Sequence, residues 1–70
     1  MRRIRRFEYV CGTSNKFWEV QVVGTKVRVC WGRRGYLGQM KTTNFASEGK
    51  AATHAYRLVD SKRRKGYVEV

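Results

Sequence analysis

Two runs of strand-forming residues, separated only by Gly24-Thr25, constrain this chain more than any other feature. Lys16 to Val23 is rich in valine and aromatic residues, and Lys26 to Trp31 places an apolar side chain at every second position. Runs of this composition and period are typical of β-strands. A two-residue connection that contains glycine is typical of a tight hairpin, where glycine takes a positive φ. The chain is therefore predicted to fold around an antiparallel β-hairpin.

Glycine, serine, threonine and asparagine divide the rest of the chain, which contains no proline. We predict a first strand over Ile4 to Cys11, a turn over 12–15 and a fourth strand over Gln39 to Phe45. Between the third and fourth strands lies a glycine-rich loop over 32–38, which can be a plain hairpin loop or a turn whose amides face an anion. A short last strand is predicted over Tyr67 to Val70.

One amphipathic helix is predicted after the fourth strand. Ser47 suits the N-cap, and Glu48 falls in the first turn, where a carboxylate favours the helix dipole. Four cations over 62–65, followed by Gly66, are typical of a helix C-terminus. Apolar residues recur at steps of three and four, as on a buried helix face: Ala51, Ala52, Ala55, Leu58 and Val59. The predicted fold is α+β, an antiparallel four- or five-stranded sheet with one C-terminal helix packed on one face.

The chain has the length of one small domain and carries a large positive charge. Its 70 residues contain 16 Lys and Arg against 5 Asp and Glu, for a formal net charge of +11. A surplus of this size indicates a polyanionic partner, with nucleic acid the first candidate and an anionic membrane surface the second. Ten of the cations fall in three clusters, at the start of the chain, in the glycine loop and at the helix end: Arg2, Arg3, Arg5, Arg6, Arg33, Arg34 and the run 62–65.

Several other classes of protein receive little support. The chain has no apolar run long enough for a transmembrane helix, and its basic start is not followed by the apolar segment of a signal peptide. Two cysteines and one histidine do not supply a zinc site, and the carboxylates show no paired pattern for acid–base work. We expect a cytoplasmic, non-enzymatic protein without metal or cofactor, associated with the nucleoid if it binds DNA.

The two tryptophans lie in the predicted hairpin. Trp18 has strand on both sides and is expected in the core. Trp31 shares a face with the valines of its strand, which favours the core, but it ends that strand, where an indole can stack on a base or sugar. The residues alone leave both interpretations of Trp31 open. Charge and position add Arg34 and Lys41 as candidate contacts to nucleic acid.

The segment Val29 to Gln39, VCWGRRGYLGQ, resembles the central signature of the WGR domain family. Asn15-Lys16-Phe17-Trp18 resembles the start of the family's second strand. Phe45-Ala46-Ser47 before the helix and Lys65-Gly66-Tyr67 after it are similar to bacterial versions of the domain. The ordered set is much more specific than the tripeptide that names the family. It covers 7–70 and leaves 1–6 as a basic N-terminal arm.

The resemblance implies a role at DNA ends. In DNA-dependent poly(ADP-ribose) polymerases, the WGR domain binds DNA near ends and breaks and relays that contact to neighbouring domains. By this resemblance Trp31 would pack against the sugar or base of a terminal nucleotide, with Asn15 and Lys16 near its phosphate. Arg33 would contact phosphate, make a structural hydrogen bond or bridge to a partner protein. No catalytic domain accompanies the match, so neither polymerase activity nor use of NAD is implied.

Two functions from different classes follow from these features. The leading hypothesis is a module that binds DNA ends, nicks or breaks, with affinity from Lys and Arg on phosphate and end preference from stacking of Trp31. The alternative is a protein-interaction adaptor that docks a partner through Arg33 and the glycine loop. Structured RNA is a further potential ligand of the basic surface.

Overall fold

The structure, a computed structural model, describes residues 3–70, so the predicted role of Arg2 in the basic arm lies outside the described residues. The five strands and one helix follow in the order β1 (Arg5–Cys11), β2 (Ser14–Val23), β3 (Lys26–Arg33), β4 (Gln39–Asn44), α1 (Glu48–Arg64) and β5 (Val68–Glu69). All strand pairs are antiparallel, in the order β4-β3-β2-β1-β5. The predicted α+β fold class is confirmed, with five strands.

The central hairpin is longer than predicted at its open end. β2 begins at Ser14, so the predicted four-residue turn contracts to Gly12-Thr13. β3 continues through Gly32-Arg33, which the sequence had placed in the loop, because both residues pair with β2. β1 begins one residue later than predicted, at Arg5 instead of Ile4, and β4 ends one residue earlier, at Asn44 instead of Phe45. The extra strand length aligns the predicted site residues in a single ladder.

Helix α1 covers one face of the sheet. The Ser47 hydroxyl accepts a hydrogen bond from the backbone N–H of Lys50 at 3.1 Å, which confirms the predicted N-cap. Small side chains let the helix approach the strands closely, and Trp18 lies beneath it, 3% exposed, as predicted. The core on this face comprises Phe7, Trp18, Val20, Val22, Val27, Ala51, Ala55 and Val59. Within residues 3–70, no helix combines the length and apolarity needed to cross a membrane.

On the opposite face of the sheet, the glycine loop covers Phe17. The glycine loop folds back there, and Phe17 is 4% exposed although it points away from the helix. A Cβ atom on Gly38, where φ is +78°, would lie 2.8 Å from Phe17 Cζ and would clash with the carbonyl oxygen of Trp31. The Arg6 guanidinium lies 4.5 Å from the centre of the same ring. Gly32 and Gly38 lie in close contact with each other beside the Phe17 ring. Together with Arg6 they bury this ring.

Strand β5 is held against β1 by charged hydrogen bonds. The guanidinium of Arg5 binds the Glu69 carboxylate in a bidentate manner, at 2.8 and 2.7 Å, and Arg63 of α1 reaches the same carboxylate at 3.2 Å. These donors, with Arg5 first, lower the pKa of Glu69 from 4.5 to about 2. Glu69 therefore connects the C-terminal segment to both the sheet and the helix. This connection matters because β5 is only two residues long.

We expect the stability of the domain to fall in acid through Glu69. Its pKa is lower in the folded state, so its contribution is complete above the ordinary pKa of 4.5 and is lost as the pH falls to about 2. Glu69→Gln should therefore lower the melting temperature at neutral pH and flatten its decline over this pH interval. Glu48→Gln is the control, because Glu48 makes no ion pair among residues 3–70. Equal pH profiles for the two variants would contradict the assignment.

Gly38→Ala should destabilise the domain more than Gly35→Ala. Both glycines have positive φ, at +78° and +88°, so both substitutions carry backbone strain of about 1–2 kcal/mol. Only the Gly38 Cβ meets neighbouring atoms, whereas the Gly35 Cβ meets nothing within 4 Å. Overpacking adds a further 1–3 kcal/mol or so at Gly38. Urea unfolding measures the difference, and equal losses would show that the loop does not press on Phe17.

Candidate nucleic-acid interface

A cleft of about 490 Å³ opens at the end of the sheet where β2 begins and β3 ends. The end of α1 and the residue that precedes β5 form its other wall, through Lys62 and Tyr67. Four of the six residues predicted from the sequence to bind nucleic acid line this cleft: Asn15, Lys16, Trp31 and Arg33. The structure therefore joins two distant stretches of sequence, the hairpin end and the helix end, in one concave surface.

Two cations face each other across the hairpin in this cleft. Lys16 of β2 and Arg33 of β3 are direct partners in the ladder, so their side chains leave the sheet on the same face. Neither side chain forms an ion pair within residues 3–70. Like charges directly opposite each other destabilise a sheet. An anion bound between them would remove that repulsion.

The ring of Trp31 is shared between the core and the cleft. Trp31 lies opposite Trp18 in the β2–β3 ladder and packs against the core cluster, yet it is only half-buried and lines the cleft. Trp31 therefore contributes to the core, while its stacking on a base or sugar stays a prediction. A ring that is fixed by packing on one side loses little conformational freedom when a ligand stacks on the other side.

The helix end positions Lys62 and Tyr67 as a pair. The backbone N–H of Tyr67 donates to the carbonyl of Lys62 at 3.0 Å, and that of Gly66 donates to Arg63 at 3.0 Å. With Gly66 at φ +100°, this is the Schellman arrangement that closes a helix. It brings residue 67 back over residue 62, and the Lys62 Nζ lies 5.1 Å from the centre of the Tyr67 ring.

Lys62 occupies an unusual electrostatic position. Its Nζ also lies 5.6 Å from the centre of the Trp18 ring, and its side chain is half-buried. Burial, followed by the positive charges of Lys65 and Lys16, lowers the pKa of Lys62. No carboxylate within residues 3–70 pairs with this ammonium. The cleft thus holds three cations and no compensating anion from the described part of the chain.

Four of the five Asp and Glu side chains form ion pairs outside the cleft. Glu8, Glu19, Asp60 and Glu69 pair with Arg5, Arg6, Arg34, Arg63 and Arg64. The three basic clusters seen in the sequence are therefore not equivalent, because five of their arginines are already engaged in ion pairs. Lys16, Arg33 and Lys62 of the cleft have no carboxylate partner within residues 3–70, and the sequence alone does not distinguish them from the paired arginines.

Arg34 and Lys41, the other two predicted contacts, do not line the cleft. The Arg34 guanidinium donates to the side-chain oxygen of Asn15 at 3.1 Å and lies 3.4 Å from Glu8, while its backbone N–H donates to the Asn15 carbonyl at 2.9 Å. Arg34 thereby holds Asn15 at the edge of the cleft. Lys41 is exposed on β4, opposite Val29. Contact of either residue with nucleic acid stays a prediction.

Lys62 and Tyr67 were not predicted from the sequence to belong to the site. The sequence patterns placed Lys62 in a run of helix-end cations, which is one of the three basic clusters, and Tyr67 in a short strand and in the family-like segment Lys65-Gly66-Tyr67. The signal that could have found them is Gly66, because a glycine just after a helix indicates a turn that returns the next residue to the last helical turn. No group of three metal-ligating side chains occurs within residues 3–70, and Cys11 and Cys30 are both free.

The sequence profile of the WGR domain family matches residues 3–70, essentially the whole chain. The chain belongs to the WGR domain family. A crystal structure of a Bacteroides fragilis protein superposes on this WGR domain with a TM-score of 0.96 and 41% identity, covering 97% of this chain and 19% of the other. Membership of the family is consistent with a nucleic-acid-binding module and indicates no catalytic family.

Two Escherichia coli K12 proteins are similar to this WGR domain, each at 35% identity. The uncharacterised protein YfeS matches over 65 residues, which is 93% of this chain and 27% of YfeS. The protein YehF matches over 66 residues, which is 94% of this chain and 24% of YehF. The chain therefore spans about a quarter of the length of these curated relatives.

The three residues that name the WGR domain alternate between the two faces of the sheet, because they are consecutive in β3. Trp31 and Arg33 are two apart in β3, so both face the cleft side of the sheet. Gly32 faces the opposite side, where a Cβ atom would lie 2.8 Å from Gly38 Cα of the folded-back loop. The tripeptide thus combines a ring and a cation on one face with room for the loop on the other.

Proposed function

We propose that this WGR domain binds nucleic acid through the cleft and prefers DNA ends, nicks or breaks. The observation that carries the proposal is the group of unpaired cations around a half-exposed indole. Lys16, Arg33 and Lys62 supply positive charge without carboxylate partners in the described chain, and Trp31 supplies an aromatic surface beside them. Cations on phosphate with an aromatic platform for a base are the usual elements of sites that bind unstacked nucleotides.

The aromatic surface accounts for the proposed preference for ends. In a continuous duplex each base pair is covered on both faces, so an indole finds no free face to stack on. At an end, nick or break, a terminal base or sugar is open to contact. Trp31 is fixed in the ladder opposite Trp18, so it can present a surface of constant orientation to such a terminus.

The cations account for affinity rather than for structure preference. Each phosphate contact releases counterions, and binding should therefore weaken steeply as salt is raised. We propose a non-enzymatic role, because the match to the WGR domain family indicates no catalytic family and the cleft offers charge and an aromatic surface for binding. This role would place the protein in the cytoplasm at the nucleoid.

The test uses two fluorescent duplexes of one sequence, one with free phosphorylated ends and one closed at both ends by hairpin loops. The wild-type chain is expected to bind the open duplex more tightly at both of two salt concentrations. Trp31→Leu should remove this preference, because leucine fills the core side of the position without offering a stacking surface. Base–aromatic stacking is worth about 1–3 kcal/mol, or roughly 5- to 150-fold in affinity.

Tyr56→Leu is the matched control for this substitution. Tyr56 is an aromatic residue on α1, 62% exposed and outside the cleft, so its loss should leave the preference for the open duplex unchanged. If Trp31→Leu lowered the affinity for the open and the closed duplex equally, the stacking role would be rejected. If the wild-type chain bound both duplexes equally and lost both at higher salt, the basic surface alone would be responsible. Docking of a partner protein through Arg33 would then be the better-supported function.

A second prediction separates the cations of the cleft from other cations. Lys16→Gln should weaken binding to the open duplex and reduce the slope of log K against log salt by about 0.9, the value for one phosphate contact in B-DNA. Lys26→Gln is the matched control, because Lys26 begins β3 at the end away from the cleft. Fluorescence anisotropy across a salt series measures both slopes. Equal changes in the two variants would indicate charge attraction without a defined site.

A further inference from the structure

Lys62 differs from the other lysines of the described chain in its surroundings. Its amine lies 5.6 and 5.1 Å from the ring centres of Trp18 and Tyr67, so two aromatic rings form part of its surroundings, and its side chain is half-buried. Lys16 faces the same cleft and Lys65 follows on the same helix end. Partial burial of a lysine beside other cations favours the neutral, nucleophilic form of its amine.

The direction of the Lys62 pKa agrees with this geometry. Burial is the largest cause of its lowering, and the charges of Lys65 and Lys16 add to it. The ring faces attract the ammonium form and so oppose the shift in part. The outcome is a larger fraction of free amine than a fully hydrated lysine has at the same pH. A free amine in a cleft is a nucleophile for carbonyl carbon.

We propose that Lys62 forms a reversible imine with the deoxyribose aldehyde of an abasic nucleotide held in the cleft. The inference rests on the proposed function, because nucleic acid must enter the cleft to deliver this aldehyde. An abasic nucleotide is a form of DNA that carries an aldehyde, at C1′ of its open-chain sugar. It also lacks the base, which leaves space in the stack beside the sugar. The Trp31 ring, on the same cleft, can fill that space.

The cations of the cleft suit the same substrate. An abasic nucleotide keeps its phosphates, and Lys16 and Arg33 offer two charges directly across the ladder from each other. Lys62 approaches from the opposite wall, which belongs to α1. Phosphate held by the hairpin end would thus present the sugar to an amine on the helix end.

The chemical step needs no other reactant. The neutral Lys62 amine attacks the C1′ carbonyl carbon, so a carbon–nitrogen bond forms, the carbonyl π bond breaks and its oxygen takes a proton from the amine nitrogen. The hydroxyl of this carbinolamine then leaves with the second nitrogen proton as water, and the nitrogen lone pair forms the C=N bond of the imine. Water returns the amine and the aldehyde in the reverse step. The domain would hold damaged DNA covalently and reversibly, without turnover.

The test traps the imine with sodium borohydride on a labelled duplex that carries one abasic site near an open end. Lys62→Arg keeps the positive charge but removes the nucleophile, since a guanidinium stays protonated. It is expected to lose most of the trapped adduct per bound complex, with binding of each variant measured on the same duplex. Lys65→Arg, which removes an amine outside the cleft lining, should retain the adduct. Peptide mapping of the wild-type adduct should locate it on Lys62.

A second arm separates failure of this inference from failure of the proposed function. Free 2-deoxyribose 5-phosphate offers the same aldehyde and a phosphate without duplex DNA, and borohydride should label Lys62 before the other amines. A duplex that binds but gives no Lys62 adduct would overturn the imine and leave DNA binding intact. A duplex that fails to bind, with Lys62 labelled by the sugar phosphate, would overturn the DNA ligand alone. Adducts spread evenly over the lysines, or confined to the α-amino group, would overturn the proposal.

Discussion

The structure depends on burying two neighbouring side chains of the central strand on opposite faces of one sheet. Phe17 and Trp18 are both almost fully buried, and a single helix can cover only one of them. Alanines and a valine of α1 cover Trp18. The loop after β3 covers Phe17, and this requires glycine at Gly32 and Gly38, where the backbone comes within contact of the ring or of itself. Burial of strand β2 on both faces therefore determines where the helix ends and where the loop lies.

The cleft is a consequence of these two coverings. The helix end that covers Trp18 carries Lys62, and the turn that closes the helix returns Tyr67 to the same place. The strand that leads into the covering loop carries Trp31 and Arg33. The helix end and the end of β3 meet where β2 begins, because the hairpin is long enough for β3 to reach that point. The helix end and the end of β3 thus take part both in covering the core and in forming the candidate site. Trp31 belongs to both, because it packs against the core and lines the cleft.

The sequence predicted what is encoded locally and missed what depends on distant contacts. The hairpin around Gly24, the N-cap at Ser47 and the buried Trp18 follow from spacing and residue type, and the structure confirms them. Burial of Phe17 could not be predicted from its alternation with Trp18, which places it on the face without a helix. The partner of a cation is likewise a property of three-dimensional proximity. Arg33 and Arg34 are adjacent in sequence, yet within residues 3–70 Arg34 pairs with a carboxylate and Arg33 does not.

The distribution of charge argues that the cleft has been left uncompensated at a cost to stability. With 5 acidic residues for 16 basic ones, the carboxylates are too few to pair with each cation separately, and hydration at the surface makes an unpaired cation inexpensive. Lys62 is different, since it is half-buried against two rings and faces further cations, and the Lys16–Arg33 pair adds repulsion within the ladder. A structure optimised for stability alone would place a carboxylate among these three groups. Their convergence beside an aromatic surface is best explained by an anionic ligand that supplies the missing charge when it binds.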